Sequence, residues 1–311
     1  MKRTETLYRS VPYSPHSASD LGVRGHVLRL PDTELEPQGF VCEFQSLPLK
    51  TPIVSPGRYN WGNTGWDLLE SGVYRFIRTP SDSFQVLVPG GGVEQDVASL
   101  LWLLCVGDRD DQLTLRAQFQ ASIWKRLNLT CGPMSRFCQA VLEEIGYRCR
   151  VVMGLTLDTW NAFDNGHTLL EIEVEEEWQL FDPTLSSWVC KDDERINLPQ
   201  AIALLKSNPT GLQLQPVLAS EGHQIGGYAP RSLRKIPAFE SSLYFETQFM
   251  VSEKSRVPWY ERVLQVPGVY HEGTWSLAFE TDEEADRIRA YSSSYHLIPM
   301  REFISTFYLE K

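Results

Sequence analysis

From Gly132-Pro133 onward, apolar residues recur at three- and four-residue spacing: Met134, Phe137, Cys138, Val141, Leu142 and Ile145. That stripe predicts a helix buried along one face and running to Gly146. Pro133 suits its first turn and Gly146 its C-terminal stop. Downstream the period shortens to two. His167 to Val174 and Trp178 to Asp182 read as strands, with Glu175, Glu176 and Glu177 near the turn between them. Pairing Val174 with Glu177 sets Asp182 opposite Leu169 and His167 opposite Thr184. His167 and Asp182 then share one face as diagonal neighbours. A slip of one residue would send them to opposite faces. Glu-Glu is a poor centre for a two-residue hairpin, so a four-residue loop of the same parity is expected.

The rest of the chain falls into three zones. Residues 1–95 are rich in Pro, Gly and Ser, with β-like runs at Gly72 to Ile77 and Phe84 to Val88 that close on Pro89-Gly90-Gly91-Gly92. Without a following Lys-Ser/Thr pair, this triple glycine reads as a turn and not as a phosphate loop. Residues 96–190 open with the longest apolar run, Val97 to Val106, which reads as a buried helix ending at Gly107; this zone also holds the helix and hairpin already described and a strand from Arg150 to Gly154. In residues 191–311, Asn197 and Pro199 open a helix that must end before Pro209. Strands are expected at Leu243 to Val251 and Thr274 to Phe279, then a charged helix from Asp282 to Ala290. This last zone either stands alone or packs into the same domain as the second.

Composition narrows the function classes. The chain has 311 residues, 42% hydrophobic and 22% charged, which is the make-up of an ordinary globular protein. Its net charge of −11 argues against nucleic acid or an anionic membrane as partner, because no basic patch offsets the excess. The apolar run at Val97 to Val106 is far short of the about 20 residues that span a bilayer. The N-terminus has a basic start but no apolar segment after it, so a cytoplasmic location with reduced thiols is expected. Oligomeric state is left open.

Against this background Cys131 stands out. A neutral thiol is a weak nucleophile; a base in reach and an electropositive setting convert it to thiolate. The predicted helix start supplies unpaired backbone N–H groups and the positive end of the dipole, and His167 and Asp182 follow in hairpin surroundings. Cys42, Cys105, Cys138, Cys149 and Cys190 read as inert small hydrophobes. No Cys-x-x-Cys or His-x-x-x-His pair is present, so no metal site is expected and no cofactor is implied. The acidic run Glu171, Glu173, Glu175, Glu176 and Glu177 lacks the alternation and central glycine of a calcium loop and reads as a solvated turn. His223 and His271 read as loop residues.

Four pieces in order carry a family resemblance: Cys131-Gly132 at a helix start, Ile145-Gly146-Tyr147-Arg148 at its exit, the strand Arg150 to Gly154, and Gly166-His167 followed by Trp178 and Phe181-Asp182-Pro183-Thr184. The stretch from Leu127 to Leu185, about a fifth of the chain, resembles the core of the transglutaminase-like superfamily, relatives of papain-type cysteine proteases. The resemblance implies an α+β fold with helices packed on an antiparallel sheet, flanked here by β-rich N- and C-terminal zones. It also implies Cys131 as nucleophile, His167 as general base and Asp182 as orienting carboxylate. Leu169 departs from the aromatic residue often found two positions after the histidine, which bears on substrate contacts. The expected activity is acyl transfer from an amide- or peptide-type carbonyl through a thioester, with hydrolysis placed first. Amide formation by an acyltransferase or transglutaminase, and a non-catalytic binding protein on the same fold, are the alternatives. An oxyanion requires donors: the Cys131 N–H is one candidate, and Gln118, Gln120 or Trp124 a second.

Overall fold

The computed structural model describes residues 52–61, 64–79, 82–157, 166–217 and 259–309, with the backbone of short strands at Thr6–Leu7, Pro12–Ser14, His16–Ser17 and Gly25–Arg29. It is a mixed α+β protein. The described residues fall into two units, one ending at Leu129 and the other starting at Thr130 and including residues 259–309. The boundary therefore lies at Thr130 and not at residue 95. Residues 96–129 belong to the first unit, and the described part of 191–311, apart from Val217, shares the second unit with Cys131, His167 and Asp182.

In the first unit, β1 (Gly72–Thr79) pairs antiparallel with β2 (Asp82–Val88), and Gly25–Arg29 lies parallel to β1. The triple glycine then turns the chain into α1 (Val93–Trp102). The N–H groups of Gly90 and Gly91 donate to the Asp96 carboxylate at 3.0 and 3.3 Å, so the chain itself fills the anion-binding position that a phosphate loop would offer. The run from Val97 to Val106 is not one helix. α1 stops at Trp102, and Leu104–Val106 forms β3, parallel to β4 (Leu127–Leu129). Uniform apolarity does not distinguish a buried helix from a buried strand. Between them lies α2 (Leu115–Trp124), capped by the Thr114 hydroxyl.

The second unit is built on a nine-stranded sheet. α3 (Cys131–Glu144) precedes β5 (Cys149–Leu155), β6 (Gly166–Val174), β7 (Glu177–Asp182), β8 (Ser187–Lys191) and β9 (Glu194–Arg195). After α4 (Leu198–Ser207) come β10 (Leu212–Pro216), β11 (Val266–His271) and β12 (Thr274–Phe279). α5 (Asp282–Tyr291), β13 (His296–Pro299) and α6 (Met300–Ile304) complete it. The strand order is β9-β8-β7-β6-β5-β11-β12-β13, with β10 also on β8, and only the β12–β13 pair is parallel. Because β11 pairs directly with β5, late-sequence strands extend the sheet that carries His167. The strand expected at Leu243 to Val251 lies outside the described residues.

Local chemistry accounts for these boundaries. Gly146 sits at φ 101 after α3; its N–H bonds to the Glu143 carbonyl and that of Tyr147 to the Leu142 carbonyl, a Schellman ending. Asn197 and Gln200 form a reciprocal capping box on α4, with Pro199 in the first turn. The register Val174↔Glu177 is as expected, but the turn is not the four-residue loop: Glu175 and Glu176 alone make it, at φ 52 and 69. Asp192 and Asp193 turn β8 into β9 in the same way. Positive φ at both centres matches the twist of the strands. Leu169, Leu180, Ile202, Leu205, Tyr260 and Phe303 lie at the centre of the unit's core.

Candidate active site

Cys131 is the first residue of α3, after an extended Thr130 at φ −77 and ψ 171. Met134, Phe137, Cys138, Val141 and Leu142 bury the predicted stripe, which fixes the helix and leaves its tip partly exposed. The Ser135 hydroxyl donates to the Thr168 carbonyl at 3.3 Å, tying the first turn to β6 one residue past His167. The Cys131 thiol itself contacts the backbone of Thr168 and the imidazole of His167.

His167 is the second residue of β6, only 1% exposed. Gly166 delivers it: at φ 147 a Cβ there would stand 2.2 Å from the Gly154 carbonyl oxygen on β5. Only glycine permits that approach. The imidazole Nε2 lies 2.8 Å from Asp182 Oδ2; Nδ1 is buried and forms no hydrogen bond of full geometry, the Cys131 thiol being its near neighbour.

Asp182, at the end of β7, is fully buried and accepts four hydrogen bonds. Its Oδ1 takes the N–H groups of Thr184 and Leu185 at 2.8 and 3.0 Å, an Asx turn that Pro183 shapes. Its Oδ2 takes His167 and, at 2.5 Å, the hydroxyl of Tyr260. The neighbouring Trp259 sets its indole edge-on to the His167 ring, with centroids 4.8 Å apart.

The electrostatics follow from these contacts. Burial disfavours the charged His167 ring, but the Asp182 charge and hydrogen bond, with a smaller contribution from Cys131, push its pKa up to about 10. Burial likewise opposes ionisation of Asp182, yet the adjacent imidazolium, the Tyr260 hydroxyl and the Leu185 N–H hold it below the usual carboxylate value. For Cys131, burial raises the pKa and Asp182 adds to that; the His167 hydrogen bond and charge and the Thr168 backbone outweigh both, so the thiol is lowered. Burial moves other thiols the opposite way. Cys138 and Cys105 are raised, and Cys149 is pushed up to about 12. Cys105 is as partly exposed as Cys131, so exposure is not what separates them.

The structure thus brings Cys131, His167 and Asp182 together in one unit, with the last two on one sheet face as their parity requires. Gln118, Gln120 and Trp124 lie on α2 in the first unit: Gln118 is buried and donates to the Asp110 carbonyl, while Gln120 and Trp124 are exposed. The acidic run is not uniformly a solvated turn. Glu171 is fully buried, pairs with Arg150 and accepts from the Leu198 N–H and the Tyr308 hydroxyl, which holds the start of α4 and the chain's end on the sheet. Glu173 meets Arg148, and only Glu175 and Glu176 occupy the turn. His271 ends β11 against Phe307, and His223 lies outside the described residues, as does Cys42. Among the described residues no three His, Cys, Asp or Glu side chains are placed to hold a metal ion, and no helix is long and apolar enough to cross a membrane.

No motif in the sequence links Trp259 and Tyr260 to Cys131, His167 or Asp182. Tyr260 nonetheless bonds the Asp182 carboxylate and Trp259 packs on the His167 ring, and the adjacency of two large aromatics, one with a hydroxyl, is the single local signal of this. Comparison with protein-family models, with curated proteins and with solved structures returned no match to this chain.

Proposed function

We propose that this protein is a cysteine-dependent acyl-transfer enzyme of transglutaminase-like architecture, acting on an amide- or peptide-type carbonyl. The observation that carries the reading is geometric: Cys131 stands at a helix start beside His167, whose Nε2 lies 2.8 Å from the buried Asp182 carboxylate, and the same neighbours lower the Cys131 thiol where burial raises Cys105, Cys138 and Cys149. The Cys131 thiolate adds to the carbonyl carbon, and the oxyanion is stabilised at the positive N-terminal end of α3. The C–N bond then breaks as His167 gives its Nδ1 proton to the departing amine, leaving a thioester. Water attacks the thioester, His167 takes the water's proton, and the acid leaves with the sulfur again anionic. An amine in place of water would give amide formation by the same steps. We place hydrolysis first and the cytoplasm as the location, where the thiols of the described cysteines stay reduced.

Alkylation by iodoacetamide with peptide-level mass spectrometry tests this. At about pH 6 an ordinary thiol is almost wholly protonated. Cys131 should alkylate far faster there than Cys105, and His167→Gln should abolish the difference. Equal rates at the two cysteines would leave a non-catalytic protein on this fold as the better reading.

A further inference from the structure

Both ends of the Asp182 carboxylate are engaged, but by different kinds of donor. Oδ1 is held by the backbone N–H groups of Thr184 and Leu185, rigid parts of the turn that follows β7. Oδ2 is shared between His167 Nε2 at 2.8 Å and the Tyr260 hydroxyl at 2.5 Å. Position is therefore secured without the phenol. Tyr260 is fully buried in a helical stretch at residues 259–263 of the same unit, and its ring lies 6.2 Å from that of His167. Both groups are fully buried, and in such low-dielectric surroundings this short bond acts more strongly than it would in water on the oxygen that faces the imidazole.

We infer that Tyr260 is a positioning residue that acts through Asp182 to set the acidity of the His167 imidazolium, an inference that rests on the acyl-transfer reading above. A phenol donating to Oδ2 draws negative charge from the oxygen that stabilises Nε2–H. The imidazolium is then less tightly stabilised and gives up its Nδ1 proton to a departing amine more readily. With an unshared Oδ2 the ring would hold its proton more firmly and be a weaker general acid. Tyr260 thus offsets part of the upward push that a buried carboxylate exerts on His167, as a proton donor that works near neutral pH requires.

The test is a pH titration of the His167 ring nitrogens by NMR in 15N-histidine-labelled protein, assigned with His167→Gln. Tyr260→Phe keeps the ring and removes only the hydroxyl. His167 should become harder to deprotonate by about one pH unit, tenfold in proton affinity, and its Nε2–H resonance should move downfield. In an Asp182→Asn background the same change should have no further effect, because the phenol acts only through the carboxylate. Replacing Tyr260 by 3-fluorotyrosine, a stronger donor of unchanged shape, should shift His167 the other way and serves if the Phe variant does not fold. An unmoved or lowered His167 titration in Tyr260→Phe, with His167 still elevated in the wild type, overturns the inference and leaves the enzyme reading intact. A wild-type His167 that titrates like a free imidazole, with Cys131 alkylating like an ordinary thiol, overturns the enzyme reading itself.

Discussion

Removing Asp182 in two different ways should separate its structural work from its chemical work. In Asp182→Ala, four donors lose their acceptor inside a fully buried site: His167 Nε2–H, the Tyr260 hydroxyl and the N–H groups of Thr184 and Leu185. At about 1–3 kcal/mol for each unsatisfied buried donor, the loss is about 4–12 kcal/mol. A water trapped in the space accepts two of the four and reduces this to about 2–6 kcal/mol. Either figure is a large part of the about 5–15 kcal/mol that holds a domain folded. Asp182→Asn behaves differently. Its amide oxygen can keep the two backbone donors of Oδ1, while its NH2 group now faces the Tyr260 hydroxyl and His167 Nε2. The hydroxyl can rotate to accept. The imidazole can accept only by giving up the Nε2 proton and carrying its one proton on Nδ1, toward the thiol, where it no longer serves as a base. The Asn variant should therefore fold but lose on the order of 10⁴ in rate, as serine triads do when the tautomer is wrong. Urea unfolding and alkylation of Cys131 at about pH 6 measure the two effects. An Ala variant within about 1 kcal/mol of wild type, or an Asn variant that alkylates at the wild-type rate, would refute the reasoning.

Gly166→Ala forces a side chain to φ 147 and sets its Cβ 2.2 Å from the Gly154 carbonyl oxygen; backbone strain and overlap together should lower unfolding free energy by about 2–5 kcal/mol, and because His167 is the next residue, Cys131 reactivity should fall as well. Melting within a degree or two of wild type, by calorimetry, would count against the close strand approach at this point. The pH dependence of stability offers a further check. His167 has its folded pKa raised from 6.5 to about 10, so its contribution is complete below pH 6.5 and fades as pH rises toward 10. Cys131, lowered from 9.0, works in the opposite sense: its contribution is complete above pH 9 and fades as pH falls through its folded value. In a neutral-pH thiolate–imidazolium pair the proton His167 gains on folding is the one Cys131 gives up, so wild-type urea midpoints should be level between pH 6.5 and 9, while those of Cys131→Ser decline across that range. Parallel curves would mean that the ion pair does not form.

Much of the site could be read from the residues because it rests on short-range patterns. The α3 stripe and the Schellman glycine depend on neighbours within one turn, and strand parity alone places His167 and Asp182 on one face. Parity also put Glu171 on that inward face, a clue to its burial that the density of the acidic run obscured. Elsewhere the local signal was overruled. Glu175 and Glu176 adopt a conformation that glycine or asparagine would take more readily, since pairing along β6 and β7 outweighs the cost at two turn residues. The run from Val97 to Val106 splits because β3 finds a partner in β4, twenty or so residues on. The domain boundary at Thr130 reflects contacts that no compositional change marks. Tyr260 meets Asp182 across 78 residues, a separation at which pattern carries no information about who touches whom.

That long span governs when the thiol becomes dangerous. A cysteine held as thiolate is also the one most open to oxidation and to capture by stray electrophiles. On a chain still leaving the ribosome, Cys131 emerges well before His167, Asp182 and Tyr260 and is then an ordinary, mostly protonated thiol. On the acyl-transfer reading proposed above, the reactivity of Cys131 arrives only when the sheet has closed and residues 259–263 have seated on the buried carboxylate. Maturation of the proposed nucleophile is then coupled to completion of the fold, and an abandoned or truncated chain is left chemically quiet.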